Sequence, residues 1–112
     1  MFPFTLQQLR ILQALATEKN FTQAAKMVHL SQPSLSQQIQ RLEQKLDLVL
    51  IHRERTTLSL TEAGKVLLNY AERMLTVSEE CERVLKDFKW EQEMKLRIGC
   101  NSSLEYGLVP KF

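Results

Sequence analysis

Gln37, Gln40, Arg41 and Gln44 bring three amides and one guanidinium into eight residues. Amides and guanidinium pair bidentately with adenine and guanine edges in the major groove of DNA. At about 100° per residue these four project from the same side of a helix as Pro33, and that side carries no carboxylate. The chemistry implied is base reading rather than catalysis.

The element that would position them spans residues 31–46. Ser31 is suited to N-cap it, because its hydroxyl can accept a backbone N–H that the first turn leaves free. Pro33 falls in that first turn, where a missing N–H costs little. Leu35, Ile39, Leu42 and Leu46 follow at i, i+4, i+7 and i+11 and form one apolar stripe. An ordinary amphipathic surface helix fits the same pattern. The preceding residues favour the DNA reading. Phe21, Ala24, Ala25 and Val28 predict a short helix over 21–30, capped by Asn20 or Thr22, with two alanines permitting close approach. The break at His29-Leu30-Ser31 admits only a tight turn, which gives a helix-turn-helix. A helical hairpin without DNA function is the plainer alternative.

Upstream, Thr5-Leu-Gln-Gln8 has capping-box form and opens a helix to about Glu18. Leu6, Leu9, Leu12, Leu15 and Ala16 are its expected inner face, and Lys19-Asn20 its end, since asparagine tolerates a left-handed turn. Downstream, the branched run 48–53 and the alternating Leu58-Ser-Leu60 predict a β-hairpin with a polar turn at 54–57. Such a hairpin is the wing of a winged helix-turn-helix. Arg53 and Arg55 on it would reach phosphates. A solvated hairpin, with Arg55 paired to Glu54, is the alternative.

From Thr61, a plausible N-cap followed by Glu62, no proline appears to about residue 89. Ala63, Leu67, Tyr70, Met74, Val77, Cys81, Val84 and Phe88 alternate by four and three, a heptad stripe. The simplest partner for so long a stripe is the same helix of a second chain. Packing on a further part of the same polypeptide is the alternative. Cys81 reads as a small core residue of the stripe. Gly64 is expected to let the helix approach the winged domain closely. Residues 91–94 read as a polar hinge, 95–99 as a strand and 100–107 as a loop or helix start, with poor order from about 91.

Phe21-Thr-x-Ala-Ala, Ser31-Gln-Pro-Ser-Leu-Ser36, Ile39-x-x-Leu42-Glu43 and Leu60-Thr-Glu-Ala-Gly64 fall in the order and spacing of the LysR-type transcriptional regulators, which the chain resembles over roughly residues 4–90. Within that family it is most similar to plastid and cyanobacterial regulators of Rubisco and carbon-fixation genes. The resemblance implies a mainly α fold: a winged helix-turn-helix over 1–60, a linker helix for dimerisation over 61–90, and over 91–112 a hinge and the start of an α/β effector domain. It implies double-stranded promoter DNA as partner, held by Ser31, Gln32, Pro33, Ser34, Ser36, Gln37, Gln40, Arg41, Arg53 and Arg55. It implies a homodimer, or a dimer of dimers in the intact protein, through Leu67, Tyr70, Met74, Val77, Cys81, Val84 and Phe88. Asn101, Ser102 and Ser103 match effector contacts, incomplete in these 112 residues, so the small-molecule effector belongs to the full-length protein. The implied compartment is bacterial cytoplasm or plastid stroma. Four positions depart from the family pattern: Ser34 for alanine, Gln37 for arginine, Asp47 for glycine and Ile51 for phenylalanine. The first two make any borrowed operator sequence unsafe.

Charge agrees modestly. Residues 1–60 carry seven Lys/Arg against four Asp/Glu, net +3, and 61–112 carry eight against nine, net −1. Placement of charge therefore matters more than its sum. Apolar residues make up 44%, with no long uncharged apolar run, so no membrane segment is expected. The Met-Phe-Pro-Phe start lacks signal-peptide form. Two cysteines nineteen apart predict neither a zinc knuckle nor a disulfide framework, and His29 and His52 lack ligand-spaced partners, so no metal or cofactor is expected. No constellation of base, nucleophile or metal ligands argues for an enzyme. A coiled-coil dimerisation or scaffold module without specific DNA binding is the rival class; it leaves the carboxylate-poor face of 33–44 unexplained.

Overall fold

The computed structural model describes residues 3–54 and 57–98. The chain divides into two units, Met1–Val77 and Ser78–Phe112. Elements follow in the order α1 (Leu6–Glu18), α2 (Phe21–Met27), α3 (Gln32–Leu46), β1 (Ile51–Arg53), β2 (Leu58–Leu60) and α4 (Glu62–Ile98).

Local chemistry sets each start. Thr5 Oγ1 accepts the Gln8 N–H at 3.1 Å while Gln8 Oε1 accepts the Thr5 N–H at 2.9 Å, the reciprocal capping box. Asn20 caps α2 by accepting the Gln23 N–H at 2.8 Å, and Ser31 caps α3 by accepting the Ser34 N–H at 3.2 Å. Thr61 caps α4 through the Gly64 N–H at 3.0 Å.

The stops are less ordinary. Lys19, His29 and Asp47 all adopt left-handed backbone, with φ of 54°, 61° and 56°. Lys19, rather than Asn20, therefore terminates α1, because Asn20 is already extended as the cap of α2. The expected second helix is also shorter, ending at Met27, since His29 makes the left-handed turn into α3. Asp47, at the position where the family resemblance implies a glycine, is the C-cap of α3 in the left-handed region, which glycine enters without strain and which a side chain there must tolerate.

The core of the first unit joins Ile11, Leu12, Ala14 and Leu15 of α1 to Ala24 and Ala25 of α2, Leu35, Ile39 and Leu42 of α3, and Leu50, Ile51 and Leu58 of the hairpin. A satellite cluster joins Leu9 to Ala71 and Leu75 of α4. Helix α1 thus packs on two sides, which is why Ile11 and Ala14 are buried beyond the expected inner face. Leu6, expected inside, lies in the first turn and stays 43% exposed.

The hairpin pairs antiparallel, Ile51 with Leu60, His52 with Ser59 and Arg53 with Leu58. It is shorter than the apolar run 48–53, because Leu48 and Val49 face outward in the connection from α3.

The expected hinge at 91–94 and strand from 95 do not form: α4 continues through Ile98. Residues 91–98 contain neither glycine nor proline and are mostly good helix formers. Lys95 and Arg97 also complement the helix dipole in the last turn. Gly99, Cys100, Asn101, Ser102 and Ser103 lie outside the described residues, as does Arg55.

Gly64 is buried where α4 meets the hairpin. A Cβ added there would run into the Leu50 carbonyl oxygen and stand 3.3 Å from the Leu60 Cβ. The Gly64→Ala variant gains about 1 kcal/mol of helix propensity. Overpacking costs about 1–3 kcal/mol, and a Cβ that meets backbone rather than a side-chain tip falls at the upper end of that range, so the clash wins by a net of roughly 1–2 kcal/mol. At several degrees per kcal/mol for a domain this size, thermal unfolding should shift down by roughly 5–15 °C. An unchanged melting temperature would show that the contact relaxes without cost.

Candidate nucleic-acid interface

Helix α3 buries Leu35, Ile39 and Leu42 completely and leaves Leu46 half-buried. That choice orients everything else on the helix. Ser31, Gln32, Pro33, Ser34, Gln37, Gln40, Arg41 and Gln44 are all exposed, and Ser36 is half-buried. Eight of the expected α3 and cap residues thus share one accessible surface. Gln32 Nε2 donates to Ser36 Oγ at 3.4 Å, one turn along. Arg41 engages no ion pair among the described residues, so its guanidinium is unspent.

Two glutamines of the first unit do something else. Gln8, only 6% exposed, donates through Nε2 to the Gln38 carbonyl at 3.5 Å and to Gln38 Oε1 at 3.4 Å. The same amide closes the α1 capping box, so one side chain ties helix α1 to α3. The capping-box pattern accounts for Gln8 at its own helix alone. A tertiary partner thirty residues away leaves no trace in local spacing.

Glu43 reaches further still. Its Oε2 accepts the Leu50 N–H at 2.8 Å and the Ile51 N–H at 3.2 Å. Its Oε1 lies 3.7 Å from an Arg53 guanidinium nitrogen. The sole sequence signal for it was its place in Ile39-x-x-Leu42-Glu43. Thr61 assists at the same junction: its hydroxyl donates to the Val49 carbonyl at 2.6 Å and its N–H to the Leu50 carbonyl at 2.9 Å. Arg53, expected to face phosphate, also stands over the Phe21 ring at 5.7 Å.

Helix α4 divides the expected dimer stripe. Leu67 and Met74 pack on the satellite cluster around Leu9, within their own unit. They are half-buried against their own unit, which leaves less of each side chain for a partner; the alternation by four and three marks an apolar stripe without saying what covers it. Ala71 and Leu75, off that stripe, are the buried ones. Tyr70 and Val77 remain 52% and 60% exposed, and Val66, not expected, is 58% exposed. Arg73 covers Tyr70, its guanidinium 5.1 Å from the ring centre. Val66, Tyr70, Arg73 and Val77 follow at i, i+4, i+7 and i+11, one open stripe. In the second unit Cys81 and Phe88 are exposed and Val84 is half-buried, with Leu85, Trp90 and Leu96 exposed besides.

Among the described residues no three His, Cys, Asp or Glu side chains gather as a metal site, and no helix is long and apolar enough to cross a membrane.

The sequence profile of the family described as "Bacterial regulatory helix-turn-helix protein, lysR family" matches residues 6–65. A probable RuBisCO transcriptional regulator of Phaeodactylum tricornutum is 52% identical over 99% of this chain and 36% of its own length. One of the same name from Trichormus variabilis is 43% identical over 97% of this chain and 32% of its own. The chain thus spans about a third of the length of these curated relatives. Among solved structures, the BenM DNA-binding domain in complex with catB site 1 DNA superposes with a TM-score of 0.73 at 31% identity, covering 77% of this chain and 96% of that one.

Proposed function

The chain belongs to the LysR family of bacterial regulatory helix-turn-helix proteins, and on that footing we propose that it is the DNA-reading portion of a transcriptional regulator that binds promoter DNA as a homodimer. The observation that carries the reading is the outer face of α3, where Gln37, Gln40, Arg41 and Gln44 stand exposed beside Pro33, with no carboxylate interleaved. Side chains in the first turns of such a helix meet base edges in the major groove, while N-cap and wing groups hold phosphates. Ser31, Gln32, Ser34 and Ser36 fit the backbone-holding role. Arg55 is a wing candidate on sequence alone.

A single recognition helix reads only a few base pairs, so two subunits on half-sites about one helical turn apart are the natural arrangement. The open stripe Val66, Tyr70, Arg73 and Val77 supports α4 as the dimer surface, joined by Cys81, Val84 and Phe88. The RuBisCO regulators among its relatives make carbon-fixation promoters the proposed targets. They come from an alga and a cyanobacterium, which favours plastid stroma or bacterial cytoplasm. A small-molecule effector, contacted through Asn101, Ser102 and Ser103, and a dimer of dimers are assigned to the intact protein.

Selection of bound duplexes from a random DNA pool at near-physiological salt tests this. Enrichment of a two-fold-symmetric site supports the dimeric groove reader. Failure of the folded protein to enrich any sequence sinks it.

A further inference from the structure

We propose that Arg53 is a positioning residue for the recognition helix rather than a phosphate contact, an inference that rests on the DNA-binding reading above. Three elements converge on its guanidinium. It lies 3.7 Å from Glu43 Oε1 of α3, it stands 5.7 Å from the centre of the Phe21 ring of α2, and its own backbone belongs to β1. The other Glu43 oxygen accepts the Leu50 and Ile51 N–H groups at the entry to the same strand. One carboxylate is thus shared between the wing's backbone and the wing's arginine.

Exposure ranks the two halves of the pair. The Glu43 side chain is 13% exposed and the Arg53 side chain 42%. Swinging Arg53 out to a phosphate would leave a mostly covered carboxylate without its counter-charge. That carboxylate sits on the helix that must meet a polyanion, three residues after Gln40 and next to Gln44. Arg53 therefore neutralises the only carboxylate of the α3 helix while fixing its angle to the wing. A planar guanidinium suits both tasks, since it can stack on the Phe21 ring and present a fork to a carboxylate together.

The test is a double-mutant cycle in DNA affinity on the selected duplex, with Arg53→Met, Glu43→Gln and both together. Arg53→Met should weaken binding per folded molecule on the order of tenfold, the middle of the range for coupled neighbours. Its log–log salt slope should stay that of the parent. Preference between half-site variants should flatten, because the reading helix has lost its register. Adding Glu43→Gln should restore part of the affinity, since the unneutralised charge is gone and an amide oxygen still accepts a backbone N–H, while the ring stack and fork stay lost. A slope reduced by roughly 0.9 would make Arg53 a phosphate contact and overturn the proposal. Additive losses, or affinity untouched with only stability lowered, would overturn it as well. If Arg53→Met does not fold, Arg53→Lys decides. A phosphate contact tolerates a lysine, whereas the positioning role loses its ring stack and fork and binds several-fold more weakly. A parent protein that binds no duplex at all would instead dispose of the DNA reading.

Discussion

Alanine at both Gln37 and Arg41 is expected to weaken binding to the selected operator by about 2–6 kcal/mol, since each good bidentate base contact discriminates by about 1–3 kcal/mol. The lower end alone is roughly thirtyfold in affinity. Both side chains are exposed on α3, and neither takes part in its core, so the melting temperature should hold. The two residues should also separate. Arg41→Ala removes a charge and should reduce the salt slope wherever that charge meets phosphate; Gln37→Ala should leave the slope intact and relax specificity at one base position. Quantitative binding titrations at several salt concentrations, on the operator and on single-base variants, check this. Undiminished binding by the folded double variant would remove α3 as the reading element and leave the scaffold alternative standing.

Glutamate at both Tyr70 and Val77 should convert a dimer into a monomer. Both side chains are more than half exposed in their own unit, so the monomer fold has little to lose. In a paired helix surface the new carboxylates would be brought out of water against their symmetry mates, an arrangement of like charges without compensation. Affinity for a duplex bearing two half-sites should fall by about 10²–10⁴-fold, the usual gain from linking two binding events. Affinity for a duplex with one half-site should be unchanged. Light scattering gives the mass, and paired titrations on the two duplexes give the avidity. A variant that stays dimeric would show that the subunits associate elsewhere. Leu67 and Met74 are the contrast: substitution there should cost stability of the first unit, because they pack on the cluster around Leu9.

The same periodicity thus carried different amounts of information in different elements. The apolar stripe of α3 named Leu35, Ile39 and Leu42 correctly as buried, with Leu46 at its end only half-buried, because the helix faces one core, and the outward set followed by subtraction. The stripe of α4 did not, since an alternation by four and three is satisfied equally by a neighbouring chain and by the helix's own domain. Tyr70 and Leu67 are indistinguishable on that stripe; one is open and the other half-buried.

The features legible along the chain were local: the caps at Thr5, Ser31 and Thr61, the helix-turn-helix spacing, the order of elements and the polar face of α3. These depend on contacts within a few residues, and each leaves its residue type at a predictable position. Gly64 was legible too, as a small residue where α4 leaves the hairpin, though its neighbour, the Leu50 carbonyl, was not. Only the packed fold shows that Gln8 bridges to Gln38, that Glu43 gathers the Leu50 and Ile51 amides with Arg53, and that Leu67 and Met74 of the α4 stripe are partly buried within their own unit. Those partners are brought together by the packing of α1, α3 and the hairpin, and no spacing along the chain encodes a distance across it. For the same reason a charge reads as free in sequence until the fold supplies its counter-charge, as it does for Arg53 and, among the described residues, does not for Arg41.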